Sequence, residues 1–196
     1  KLLAEELGRM TPDRQVLFAG VLGQRQDAAA LPVLLSFAKA GDKTARVAAI
    51  KAAGEIGGAG VAPLLIGLLK DPEAAVAQAA GAGLAGLRDA EADAAIATLA
   101  TSPDAKTRSL AVELLGQRRN AGSAAALIKT AADADEQVRL ASLKALAGLA
   151  TAADLPALLA LLVQAPSPQE TEAAEAAASA VCARQTGRAA CAATII

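Results

Sequence analysis

Three sets of residues in this chain have types and spacings that could do chemistry. Gly81-Ala82-Gly83-Leu84-Ala85-Gly86 spells G-x-G-x-x-G, a pattern whose free amides cradle a pyrophosphate when it follows a strand and opens a helix. Cys182 and Cys191, the two cysteines, could form a disulfide, contribute to a metal site, present a reactive thiol, or fill space as small hydrophobes. Glu55, Glu113 and Glu172 are carboxylates of the kind used in acid–base work, and serines and threonines are scattered along the chain. No histidine stands among the 196 residues to activate a hydroxyl. That also removes the commonest general base and metal ligand at neutral pH. The expectation is a segment with no catalytic, cofactor-binding or metal residues.

The elements that would position these groups are set by a repeat. Leu34, Leu65, Ile96, Leu127 and Leu158 recur every 31 residues. Leu35, Ile66, Ala97, Ile128 and Leu159 keep the same step, as do Pro32, Pro63, Ala94, Ala125 and Pro156. A constant period of this length marks one supersecondary unit copied and stacked. High alanine and leucine content favours helix. Each unit reads as two helices, called A and B below. In residues 42–71, Asp42 is placed as the N-cap of helix A, and Arg46, Val47, Ala49, Ile50, Ala53 and Ile56 follow at helical spacing. Gly57, Gly58 and Gly60 end helix A, and Ala62-Pro63 starts helix B, whose buried stripe is Leu65, Ile66 and Leu69. Gly81 then falls in the column of Ile50, Val112 and Leu143, inside helix A rather than at a phosphate-binding turn. Its glycines predict a locally weak helix over 72–89.

Helix A also carries a polar ladder: Asp42 and Arg46, Asp104 and Arg108, Asp135 and Arg139. The members of each pair are four apart and so are expected to face each other on the helix. The column breaks at Gln15, Ala77 and Glu172.

The D-x-x-x-R start, the Leu22-Gly23 and Leu115-Gly116 ends of helix A, and the Pro-x-Leu-Leu start of helix B (Pro32-Val33-Leu34-Leu35, Pro156-Ala157-Leu158-Leu159) resemble HEAT repeats. The short unit is similar to the bacterial phycobilisome-lyase-like subtype. The resemblance spans the whole chain and implies an all-α, right-handed α-solenoid. It implies protein interaction through a concave, helix B-lined surface. For the lyase subtype it also implies an enzyme accessory with a reactive Cys182 or Cys191. The aromatic base-probing residues of HEAT-like DNA glycosylases and the His-Glu ligands of HEAT hydroxylases have no counterparts here.

Register divides the chain into repeats at about 11–41, 42–71, 72–102, 103–134 and 135–167. Residues 1–10, with Leu3 in the leucine column, read as the end of a preceding repeat, and 168–196 as a truncated last one. Further repeats or domains are therefore expected at both ends. Cys191 takes the core-leucine position of the last unit, across a turn from Cys182. An oxidised pair would imply an exported or periplasmic protein, and reduced thiols a cytoplasmic one.

On helix B, Ser36, Gly67, Thr98, Lys129 and Ala160 form one column of the concave face. Phe37, Leu68, Leu99, Thr130 and Leu161 form the next, expected to pack between helices. A net charge of −1 without blocks of like charge gives nucleic acid and anionic membranes no electrostatic handle. Aromatic residues make up 1% of the chain, which leaves no platform for stacking bases. The expected partner is a protein or peptide. The rival reading is a spacer that positions an attached catalytic domain.

Overall fold

The computed structural model describes residues 9–58, 60–87 and 90–184. The fold is all-α, a solenoid of two-helix repeats with no strand among the described residues. The A helices are α1 (Pro12–Arg25), α3 (Lys43–Ile56), α5 (Ala74–Gly86), α7 (Ala105–Arg118), α9 (Glu136–Leu149) and α11 (Pro168–Arg184). The B helices are α2 (Leu31–Ala40), α4 (Val61–Leu68), α6 (Ala90–Leu99), α8 (Ala124–Thr130) and α10 (Leu155–Val163). Leu3 and Cys191, placed by register in the leucine column, lie outside the described residues.

Local chemistry fixes these boundaries. Asp42 accepts from the Thr44 amide at 2.9 Å, Asp104 from Thr107 at 3.0 Å, and Asp135 from Gln137 at 2.9 Å and Val138 at 3.2 Å. Each aspartate thereby satisfies first-turn donors that have no partner inside the helix. Helix α3 stops where Gly57, Gly58 and Gly60 take φ of +69°, +104° and +86°, a region closed to most side chains. Prolines open α1, α2 and α10, where the missing amide loses nothing.

The chain gathers into two compact units divided between Ala95 and Ile96, within α6. In the first, α1, α3 and α5 pack in succession, with α2 against α3 and α4 against α5. In the second, α7, α9 and α11 do the same, with α8 against α9 and α10 against α11. Helices α2, α4, α8 and α10 therefore each close onto the A helix of the following hairpin. Leu34, Leu65, Ile96, Leu127 and Leu158 are all at most 1% exposed, so the 31-residue column forms the buried core of both units.

Successive A helices approach closely at small residues. A methyl group on Gly23 would lie 3.0 Å from Ala52 Cα, and one on Gly116 would lie 3.2 Å from Ala145 Cβ. Helix α5 forms despite its three glycines. Gly83 lies beneath Gly54 and against Leu65, where a Cβ would sit 3.0 Å from a leucine methyl. The G-x-G-x-x-G run is thus interior to a helix, its Gly83 serving close packing. At Gly67 and Gly148 nothing lies within 4 Å of where a Cβ would be. Gly67→Ala and Gly148→Ala are therefore expected each to raise stability by about 0.5–1 kcal/mol. Gly23→Ala, which drives a methyl toward backbone, should lower it by about 1–3 kcal/mol. Urea melts of the three variants check both signs.

Candidate interaction face

The B helices carry an exposed column between a half-buried one and one that is buried or half-buried. Ser36, Gly67, Thr98, Lys129 and Ala160 are all exposed. One residue further on, Leu68 and Thr130 are buried and Phe37, Leu99 and Leu161 are half-buried, as expected of residues wedged between helices. Thr130 is polar yet buried because its hydroxyl lies 2.7 Å from that of Ser142, which is fully buried on α9. Pro32, Pro63 and Pro156 stand exposed at the starts of their helices. In the first unit this face opens into a groove of about 400 Å³, lined by Leu35, Lys39, Pro63, Leu64, Gly67 and Leu68. Helices α2, α4, α8 and α10 contain no aspartate or glutamate; the charges on them are Lys39 and Lys129.

The carboxylates belong to the A side and to the connections. Glu55, Glu113 and Glu172 are exposed on A helices. Glu55 and Lys51 border a second, largely apolar groove of about 470 Å³, floored by Val16, Gly20, Val47 and Ala48 of α1 and α3.

The arginines of the ladder are placed as register predicts but do not pair with the aspartates four residues before them. Those aspartates are occupied as N-caps, so each guanidinium reaches an acid much further along the chain. Arg46 pairs with Asp71 through both terminal nitrogens. Arg108 makes two 2.7 Å bonds to Asp133, and Arg139 two 2.9 Å bonds to Glu170, which is 2% exposed. Each also donates to main-chain carbonyls at the end of the preceding helix or in the connection: Arg46 to Ala38, Arg108 to Ser102 and Pro103, Arg139 to Asp133 and Ala134. These planar, two-pronged pairs fix the turn from one hairpin to the next.

The arginines hold the Asp71, Asp133 and Glu170 carboxyls below their ordinary values, the guanidinium hydrogen bond being the main cause in each case. The folded state thus binds these protons less tightly than the unfolded chain does. Their stabilisation is complete above the ordinary carboxylate range and is lost as acid protonates them below about pH 4. Without histidine, stability should be flat between about pH 6 and 8, then fall on acidification below 4; denaturant midpoints across that range would check this.

Asp71, Asp133 and Glu170 are the structural residues that helical spacing alone overlooks. A readable signal existed for the last, since Ser167-Pro168-Gln169-Glu170 is a capping-box sequence with proline at the first helical position. The Ser167 hydroxyl indeed lies 3.2 Å from Glu170 Oε1 and 3.3 Å from its amide. Cys182 is half-buried near the end of α11 and is not a free thiol; Cys191 lies outside the described residues. Among the described residues no cluster of three metal-ligating side chains occurs, and no helix is long and apolar enough to cross a membrane.

A family model of HEAT repeats matches residues 1–85 and 92–179. Among solved structures, an engineered protein is 19% identical with a TM-score of 0.51, the match covering 92% of this chain and 95% of that one. A designed armadillo repeat protein in complex with the peptide (KR)4 is 21% identical at TM-score 0.50, over 92% of this chain and 98% of the other. Human deoxyhypusine hydroxylase in complex with glycerol is 21% identical at TM-score 0.47, over 91% and 82%. At these identities the likeness to the engineered protein and to the armadillo design is one of fold. No curated protein sequence matches the chain.

Proposed function

Because the chain belongs to the HEAT-repeat family, we propose that it works as a noncatalytic protein-interaction or scaffold module whose helix B face receives a protein or peptide partner. The observation that carries this reading is the exposed repeat position on the B helices, Ser36 and Gly67 in the first unit and Thr98, Lys129 and Ala160 in the second, whose adjoining position is buried or half-buried. Small exposed side chains let a partner backbone approach closely, and the half-buried Leu35, Ile66, Ile128 and Leu159 beside them offer apolar surface. The side-chain inventory supports the noncatalytic assignment. The exposed carboxylates stand apart on A helices, and the chain holds no histidine to pair with a nucleophile.

Ser36→Arg and Thr98→Arg should each abolish capture of the natural partner without altering the melting temperature, whereas Glu113→Arg on helix α7 should leave capture intact. A spacer that merely positions an attached domain would be indifferent to all three. The accessory reading with a reactive cysteine is disfavoured by the engaged state of Cys182. Rapid alkylation of the folded protein at Cys182 or Cys191 would restore it. A Cys182–Cys191 disulfide, detected by intact mass before and after reduction, would make the binding module an exported or periplasmic one.

A further inference from the structure

We propose that the groove between α2 and α4 takes an extended, acidic peptide segment whose carboxylates meet Lys39 and Lys70. This rests on the helix B face being the interaction surface, and it specifies the chemistry of what binds there.

The charge distribution of the first unit carries the inference. Lys39 and Lys70 occupy the same repeat position, one period apart, Lys39 in the last turn of α2 and Lys70 in the turn that follows α4. Both are exposed, and neither has an ion-pair partner among the described residues. Helices α2 and α4 contain no acidic residue. The acids in the connections at this end of the unit are already committed. Asp71 is held by Arg46, Asp42 accepts from the amide and hydroxyl of Thr44, and Glu73 pairs with Lys43 at 2.8 Å. Lys39 lines the apolar groove, Lys70 stands just past the end of α4 beside it in sequence, and neither lysine is ion-paired with a carboxylate among the described residues. With Asp71 and Glu73 balanced by Arg46 and Lys43, Lys39 and Lys70 outnumber the one acid without a cation, Asp42, and this positive excess in a chain of net charge −1 favours acidic segments over basic ones.

Spacing defines the ligand further. Packed helices lie about 8–10 Å apart. An extended polyproline-like chain rises about 3.1 Å per residue. Carboxylates three residues apart thus match lysines one repeat apart. The intervening residues would cross Gly67, where nothing stands within 4 Å of the missing Cβ, and rest against Leu35, Pro63 and Leu64. The preferred sequence is an acidic residue, two small or proline residues, and a second acidic residue.

The test is fluorescence anisotropy at about 50 mM salt with three labelled peptides: (Glu-Ala-Pro)4, (Gln-Ala-Pro)4 and (Lys-Ala-Pro)4. The glutamate peptide is expected to bind at least tenfold more tightly than the glutamine peptide, with no binding of the lysine peptide. The double variant Lys39→Glu/Lys70→Glu should remove that preference. Gly67→Leu, which fills the groove floor without changing charge, should weaken binding at least tenfold. Equal binding of the glutamate and glutamine peptides, lost on Gly67→Leu, would overturn the acidic preference while upholding the groove. Binding of the glutamate peptide that survives both sets of substitutions would locate it elsewhere and overturn the proposal. If none of the three binds at millimolar concentration the acidic proposal fails, and loss of the natural partner on Ser36→Arg would still uphold the helix B face.

Discussion

Leu127→Ala is expected to lower stability by about 3–4 kcal/mol, and Ile128→Ala, one residue on, by only about half as much. Leu127 is fully buried and belongs to the column that packs between hairpins, whereas Ile128 is half-buried. Truncating a buried leucine loses the transfer energy of its carbons and leaves a cavity that helices already in close packing cannot collapse around. In a stacked array, a residue at the seam contributes to the interface as well as to its own hairpin. The loss should therefore appear as cooperative melting of the second unit at lower temperature, by roughly 20 °C for a unit of this size. Near-equal effects at the two positions would mean that the 31-residue column does not define the core.

Arg139→Met should be nearly as damaging, about 3 kcal/mol, although it removes a polar group. The substitution leaves Glu170, 2% exposed, as a buried carboxylate without its cation. It also strips donors from the Asp133 and Ala134 carbonyls. The acid pressed against apolar surroundings should then titrate well above its ordinary range. The variant would lose stability with rising pH between about 4 and 7, a trend opposite to that of the parent protein. The double variant Arg139→Met/Glu170→Leu should recover most of the loss, since apolar replacement of both partners of a buried pair is often close to neutral. A double variant as unstable as Arg139→Met would instead assign the stabilisation to the carbonyl contacts.

Much of this architecture was legible in the sequence because it is periodic. Leucine columns, aspartate N-caps and glycine stops each depend on residues within one turn of helix or on the constant step of 31 residues. The exposed column from Ser36 to Ala160 followed from the same register. The arginine partners did not follow, because a guanidinium on a long stem can reach across a turn, and i,i+4 spacing says nothing of that reach. A pattern was nevertheless present. Arg46–Asp71 and Arg108–Asp133 share one spacing, and the unit with Ala77 in place of arginine has Ser102 in place of aspartate. Where Gln164 replaces the aspartate, Arg139 turns to Glu170. The second missed element, the fit of Gly23, Gly54 and Gly116 beneath the next A helix, depends on interhelical distance and cannot be read from one helix alone. The affinity of the B face for a particular partner is also illegible, because no large aromatic residue or arginine stands in its exposed column.

The most direct test of the central claim is site-specific photocrosslinking with the natural partner present. A benzophenone amino acid would be placed at Gly67 or Lys129 on the helix B face and at Glu113 or Lys144 on A helices. All four positions are exposed, so the probe should be tolerated at each. The account predicts partner adducts from Gly67 and Lys129 and none from Glu113 or Lys144. Adducts from the A-helix positions alone would contradict it and move the binding surface to the opposite side of the hairpins.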